Sequence, residues 1–266
     1  MGQPAADAKA EGAEVTVLSL DHLNKAFGNL VVTDDICLDI APGERHVIIG
    51  PNGAGKTSLV NQIGGQLKPS SGRILLKGRD ITGLPPDRIS RLGVARTFQR
   101  NNLFQNLGVI ENIRLALEVH RGNPLNCFTP VGRNAALSAR AEELMAHVHL
   151  DTDGARAARY LSYGEQRQLE IGVALAGAPE LLLLDEPTSG MSPTETTRMI
   201  GLIGALPRTL SVLMIEHDMN VVFSVADRIT VLYYGKVLAT GTPADIQANS
   251  RVREVYLGKS VSGMTH

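Results

Sequence analysis

Four short stretches of the chain carry side chains whose types and spacing could do chemistry. The first is GPNGAGKTS, Gly50 to Ser58, which fits G-x-x-x-x-G-K-[ST]. It lies between the apolar run HVIIG and the helical run SLVNQIGG, the context a phosphate-binding loop requires. Gly50, Gly53 and Gly55, with Pro51, Asn52 and Ala54 between them, let successive backbone N–H groups surround a phosphate, and the helix behind adds the positive end of its dipole. Lys56 can reach a β- or γ-phosphate as a mobile cation, and the Thr57 hydroxyl, next to Ser58, is placed to ligate Mg²⁺.

The second stretch is LLLLDEPTSG, where two carboxylates end an apolar strand, the usual place for ligand groups in an open α/β sheet. Asp185 would hold Mg²⁺ through water, which leaves Glu186 as the general base for a water attacking the γ-phosphate. In the third, VLMIEHDM, His217 stands at a strand end, able to hydrogen-bond the γ-phosphate. Outside these four stretches, Gln99, in ARTFQRN, could contact Mg²⁺ or the attacking water through its amide. The fourth, LSYGEQRQLE, reads as a helix start, because Ser162 and Glu165 have capping-box spacing. Gly164 in its first turn is unexplained by propensity, since Gly costs about 1 kcal/mol relative to Ala within a helix.

These groups need elements to hold them. Apolar runs that end at turn or polar signals predict strands at Val15 to Leu20, Ile36 to Ile40, Val47 to Ile49, Leu181 to Leu184, Val212 to Ile215 and Ile229 to Tyr233. A fully apolar run such as LLLL suits a strand covered on both faces, and helical patterns follow several strands, so a largely parallel α/β core is expected. The first part, with Gly43-Glu44 and Gly72-Arg73, reads as more antiparallel. VIENIRLALEVH and AALSARAEELMAHVHL have helical periodicity around the turn-rich NPLNCFTPVG, which predicts an inserted helical subdomain. Thr242 as N-cap, Pro243 at the first helical position and Asp245 predict a terminal helix. The expected organisation is a flexible tail at 1–14, an α/β core at 15–98 and 165–245, a helical subdomain at 99–164, and a C-terminal helix and tail at 246–266.

Composition narrows the class. A formal charge of −1 over 266 residues argues against a dedicated nucleic-acid binder. No run of about 18 apolar residues occurs, so no membrane span is expected, and MGQPAADAKAEGAE lacks the basic start and apolar core of a secretory signal. Ala6 leaves the myristoylation pattern unmet. Cys37 and Cys127 have no metal-ligand spacing and are expected to be small buried apolar groups in a reduced, cytosolic setting.

In this order the motifs resemble those of ATP-binding-cassette (ABC) ATPases, and the resemblance covers about residues 15 to 258. It implies a P-loop NTPase (RecA-like) core with an antiparallel β subdomain and an inserted α-helical subdomain, with ATP and Mg²⁺ as ligands. It also makes Gly50–Ser58 the Walker A motif, Leu181–Glu186 Walker B, Gln99 the Q-loop residue, SGMSP at 189–193 the D-loop and His217 the switch histidine. Phe27 takes the place of the aromatic residue that stacks on adenine, commonly Tyr. LSYGEQ takes the place of the signature, which in that family faces ATP bound by a second ATPase subunit, homo- or heteromeric, in a head-to-tail dimer. Ser162 and the N–H of Gly164 would then face the partner's γ-phosphate, with Glu165 in the same binding set; the capping box survives beside this role.

More narrowly, TFQRNNLFQNLGVIENI, LSYGEQRQLEI, MIEHDM and GTPADIQANSRVREVYLG look like the ATPase subunits of branched-chain amino-acid importers, a group that includes urea and amide importers. That resemblance implies two permease subunits, an external solute-binding protein, a peripheral place on the cytoplasmic face of the membrane, and no nucleic acid. It places the membrane subunit's coupling helix against Gln99 to His120, with Arg100 and Glu111 as charges on that surface. Lipopolysaccharide-export ATPases share the YLG ending and are the alternative; a soluble cassette ATPase acting on nucleic acid is more distant. A GTPase would need an N-K-x-D motif after the loop, and none is present. Tyr163 replaces the commoner Gly of the signature, a change this branch often carries, and Ser192 replaces Asn or Asp in the D-loop.

Overall fold

Leu181 to Leu184 are all fully buried, and the strand they begin, β7 (Leu181–Asp185), lies inside a sheet. The computed structural model describes residues 16–97, 103–120 and 135–257. It sets β7 in a six-stranded sheet with β3 (Arg45–Ile49), β6 (Val94–Arg96), β8 (Ser211–Ile215), β9 (Arg228–Tyr233) and β10 (Lys236–Gly241), in the order β10-β9-β3-β8-β7-β6. The pairs β6/β7, β7/β8, β8/β3 and β3/β9 are parallel. Only the edge strand β10 among them is antiparallel, joined to β9 by a tight turn at Tyr234 and Gly235.

Alternate side chains of this sheet feed two hydrophobic cores. Ile48, Leu181, Leu183, Leu213 and Ile215 pack toward helix α1 (Lys56–Ile63) and a second, wholly antiparallel sheet. That sheet is ordered β2-β1-β4-β5, from β1 (Leu18–Phe27), β2 (Leu30–Ile40), β4 (Ser71–Leu76) and β5 (Arg79–Asp80). Val47, Ile49, Leu182, Leu184, Val212 and Met214 face the other way. They share a core with α3 (Val109–His120), α4 (Ala135–His147), α5 (Tyr163–Leu175), α6 (Pro193–Ala205) and α7 (Met219–Val225). Double coverage is what makes the stretches Val47–Ile49, Leu181–Leu184 and Val212–Ile215 of the central strands apolar at every position. A short α2 (Pro86–Arg91) leads into β6.

The expected α/β core with an antiparallel β sheet and packed helices is therefore present. The terminal helix α8 (Pro243–Ala248) starts as anticipated, with the Thr242 side chain and Asp245 forming a reciprocal capping box. Other expectations need correction. The strand anticipated from Val15 begins at Leu18 and runs to Phe27, well past the apolar stretch, because its outer half is held by pairing with β2 rather than by burial. Cys37 is exposed: on β2 its Sγ accepts the His22 N–H at 3.4 Å. In a strand with one covered face, Ile36 and Leu38 turn inward and their neighbour must turn out. Cys127 and the anticipated tail at 1–14 lie outside the described residues.

Candidate active site

The loop after β3 is pinched between two backbones. Gly50 has φ 153° and Gly55 φ 98°, and a Cβ on them would stand 2.3 Å from the Leu232 carbonyl oxygen and 2.2 Å from that of Val32. Only glycine fits either place. The loop is tied further by the Gly235 N–H, which donates to the Ala54 carbonyl at 3.1 Å. α1 then starts with no side-chain cap and no acidic residue in its first turn. The positive end of its dipole is left for an external anion. Lys56 Nζ donates to the carbonyls of Gly50 (2.8 Å) and Pro51 (3.0 Å). Burial pushes its ammonium below the ordinary lysine range, while the charges of Glu186 and Asp185 push the other way. Asn52, Gly53 and Thr57 are exposed, and Ser58 is half-buried.

The carboxylates come from the C-terminal end of β7. Asp185 is 3% exposed. Its Oδ2 accepts from the Arg96 guanidinium at 3.2 Å, while its Oδ1 is buried without a hydrogen-bond partner among the described residues. Arg96, the last residue of β6, is steered by Asn61 Oδ1 at 2.7 Å and Gln66 Oε1 at 2.8 Å. Burial holds its pKa below the usual arginine value. Glu186 turns into the left-handed region at φ 49° and is held there by its N–H to the Ile215 carbonyl at 3.0 Å. Such a conformation is unfavourable for a non-glycine residue and recurs where a side chain must be aimed. Its carboxylate is 30% exposed and lies 4.0 Å from Nδ1 of His217, whose side chain is 57% exposed.

Two residues that sequence reasoning did not assign hold this arrangement together. Arg96 is one. Glu216 is the other: fully buried, it accepts the Thr188 N–H and hydroxyl from the chain after β7, and the N–H groups of His217 (2.9 Å) and Asp218 (3.4 Å) after β8. It locks the ends of β7 and β8 to each other. A carboxylate directly after the apolar VLMI was the available signal, masked by the polar His217 and Asp218 beside it.

LSYGEQ lies at the start of α5. The Glu165 N–H donates to Ser162 Oγ at 3.2 Å and the Ser162 N–H donates to Glu165 Oε2 at 2.7 Å, a complete capping box. The Gly164 N–H donates to Glu195 Oε1 of α6 at 3.1 Å. The Tyr163 hydroxyl accepts from Arg167, which pairs with Glu170 at 2.8 Å along the same helix. Ser192 is the N-cap of α6. Lys56, Asp185, Glu186 and His217 thus gather at neighbouring strand ends. Among the described residues, no hydrogen bond links Ser162, Gly164 or Glu165 to the 50–58 loop. Phe27 is 51% exposed, with Lys25 Nζ 4.8 Å from its ring centroid. Gln99 and Arg100 lie outside the described residues.

A family model described as ABC transporter matches residues 33–189, over half of the chain. The chain belongs to the ABC transporter family. A second model, described as branched-chain amino acid ATP-binding cassette transporter, matches residues 236–262. The chain is 40% identical to the high-affinity branched-chain amino acid transport ATP-binding protein LivG of Escherichia coli K12, over 92% of this chain and 98% of that protein. It is 35% identical to the lipopolysaccharide export system ATP-binding protein LptB of Acidithiobacillus ferridurans, over 91% and 97%. Among solved structures, the ADP conformation of the cassette MJ1267 superposes with a TM-score of 0.79 at 28% identity, covering 91% of this chain and 99% of that one. The dimeric post-hydrolysis state of the cassette MJ0796, bound to ADP and Pi, gives 0.70 at 25%, covering 85% and 98%. The resemblance read from the motifs is borne out, and with it the fold: an ABC cassette, an ATPase of the P-loop kind.

A divalent cation fits the donors of this cassette. The Asp185 Oδ1, without a hydrogen-bond partner among the described residues, is a hard oxygen donor in a buried place, and the exposed Thr57 stands in the first turn of α1. Oxygen donors of this kind suit Mg²⁺. No described helix is long and apolar enough to cross a membrane.

Proposed function

We propose that this chain binds and hydrolyses Mg²⁺-ATP to drive import of branched-chain amino acids, or related small amides, through two partner membrane subunits served by an external solute-binding protein. The observation that carries this reading is the cluster of Lys56, Asp185, Glu186 and His217 at adjacent strand ends behind an uncapped α1, in a chain related to LivG along 98% of LivG's length. The match of the branched-chain description to residues 236–262 favours amino-acid import over lipopolysaccharide export.

In this reading the loop amides and Lys56 hold the β- and γ-phosphates, Phe27 stacks on the adenine, and Thr57 and Asp185, with Gln99, hold Mg²⁺. The metal supplies positive charge against the phosphate oxygens. Glu186 accepts the proton of the attacking water, and His217 hydrogen-bonds the γ-phosphate. Ser162 and the Gly164 amide serve the nucleotide of a second ATPase subunit. The domain limits anticipated from sequence, a core at 15–98 and 165–245 interrupted by helices at 99–164, place the signature on a different body from the P-loop.

Docking to the membrane subunits, and through them a peripheral position on the cytoplasmic face, has a surface to use. A groove of about 370 Å³ is lined by Phe104, Leu115, Ala116, Val119, His120 and Val173. Phe104 and Val119 expose 59% and 77% of their surface. Exposed apolar side chains around a groove suit an inserted helix. The test is ATP turnover by the complex purified with its membrane subunits in lipid discs. Stimulation by the leucine-loaded binding protein is expected; stimulation by lipopolysaccharide, without response to any amino acid, would replace import with export.

A further inference from the structure

Glu195 serves two helix starts at once. As the third residue of α6 it completes a capping box, its Oε2 accepting from the Ser192 N–H at 3.0 Å and the Ser192 hydroxyl at 2.8 Å. Its other oxygen reaches 31 residues back to the Gly164 N–H of the signature turn, at 3.1 Å. These donors hold the carboxyl below the ordinary glutamate range, the Ser192 backbone first, so it is anionic at neutral pH. The fit is tight: a Cβ on residue 164 would lie 2.8 to 3.0 Å from Glu195 Oε1, Cγ and Cδ. The amide that the proposed function assigns to a partner's γ-phosphate is therefore already bonded to an anion of its own chain. A second carboxylate, Glu165, closes the capping box beside it. α1, which serves the chain's own nucleotide, has no acid in its first turn.

We propose that Glu195 is an internal stand-in for phosphate: its carboxylate must release the Gly164 amide before the signature turn can engage ATP held by a second subunit. This rests on the head-to-tail reading above. One N–H cannot make a short bond to both anions, and two negative groups at one amide repel. Because Oε2 stays with Ser192, release of Gly164 is felt at the D-loop of the same chain. ATP capture by the signature and D-loop position are thereby coupled.

The separating variant is Glu195→Asp. At α8 an Asp completes the same box, with Asp245 Oδ2 accepting from the Thr242 N–H at 2.9 Å and the Thr242 hydroxyl at 2.7 Å. Aspartate at 195 should keep the α6 cap and be one methylene short of Gly164. The full-length chain carrying Glu186→Gln, to prevent turnover, is compared with the Glu186→Gln/Glu195→Asp pair by sedimentation velocity across an Mg²⁺-ATP titration. Half-dimerisation at an ATP concentration on the order of tenfold lower in the double variant is expected, at unchanged Tm without nucleotide. Dimerisation of both at the same ATP concentration, or weaker dimerisation of the double variant, overturns the stand-in role alone. No ATP-dependent dimer in either overturns the head-to-tail reading and the stand-in role with it.

Discussion

Asp185 has one oxygen on the Arg96 guanidinium and the other buried without a hydrogen-bond partner among the described residues. The two side chains are 2% and 9% exposed, so neither charge is relieved by water. Removing one partner of such a pair leaves a buried charge uncompensated, at about 3–5 kcal/mol. Arg96→Met should therefore lower the Tm in metal-free buffer by roughly 6–20 °C for a domain of this size. Saturating Mg²⁺-ATP should raise the Tm more in the variant than in the parent; equal rises in differential scanning calorimetry would remove Asp185 from the metal site. Glu186→Gln should leave ATP affinity within about twofold and lower turnover in the assembled complex by about 10²–10⁴-fold, the usual contribution of a general base. Turnover at the parent rate would reassign the base. At this scale the sequence announced Asp185 and Glu186 because they end an apolar run. Arg96 was silent, because only strand order sets β6 beside β7 and its guanidinium over the carboxylate.

Helix starts decide how the elements present these residues. Ser192 departs from the Asn or Asp common in the D-loop, yet all three are comparable N-caps, and here the Ser192 hydroxyl accepts from the Glu195 N–H. Ser192→Asn should stay within about 0.5 kcal/mol of the parent in chemical denaturation, whereas Ser192→Ala should lose about 1 kcal/mol. Equal losses would mean that the hydroxyl does more than cap. The boxes at Ser162 and Thr242 were legible because they are local, three residues from donor to acceptor. The outer half of β1 and the edge strand β10 were not, since pairing with β2 and β9, rather than an apolar pattern, keeps them extended. Tyr163 illustrates the same limit. Its letter marks a branch of the family, but that its hydroxyl organises Arg167 appears only once α5 is built.

The molecule as a whole presents its groove at α3 and α5, on the side of β6. Val119→Asp should abolish co-purification with the membrane subunits while leaving ATP binding by the isolated chain unchanged within about twofold, since Val119 is exposed and distant in sequence from the loop. Retained co-purification would move the docking surface elsewhere. Glu111, anticipated as a charge on that surface, accepts the Gly108 N–H at 2.9 Å and caps α3, so reversing its charge would disturb the helix itself. What the sequence determined alone was chemistry with a local cause. Glycines at 50, 53 and 55, a Lys and Thr after them, carboxylates ending an apolar strand and caps at three residues' spacing follow from short-range sterics and hydrogen bonding. Tertiary structure decided which of these groups meet. Arg96 on Asp185, Glu216 across two strand ends and Glu195 on Gly164 are contacts over 89, 28 and 31 residues. No local pattern encodes such pairs, because the packing of sheet and helices sets their distance.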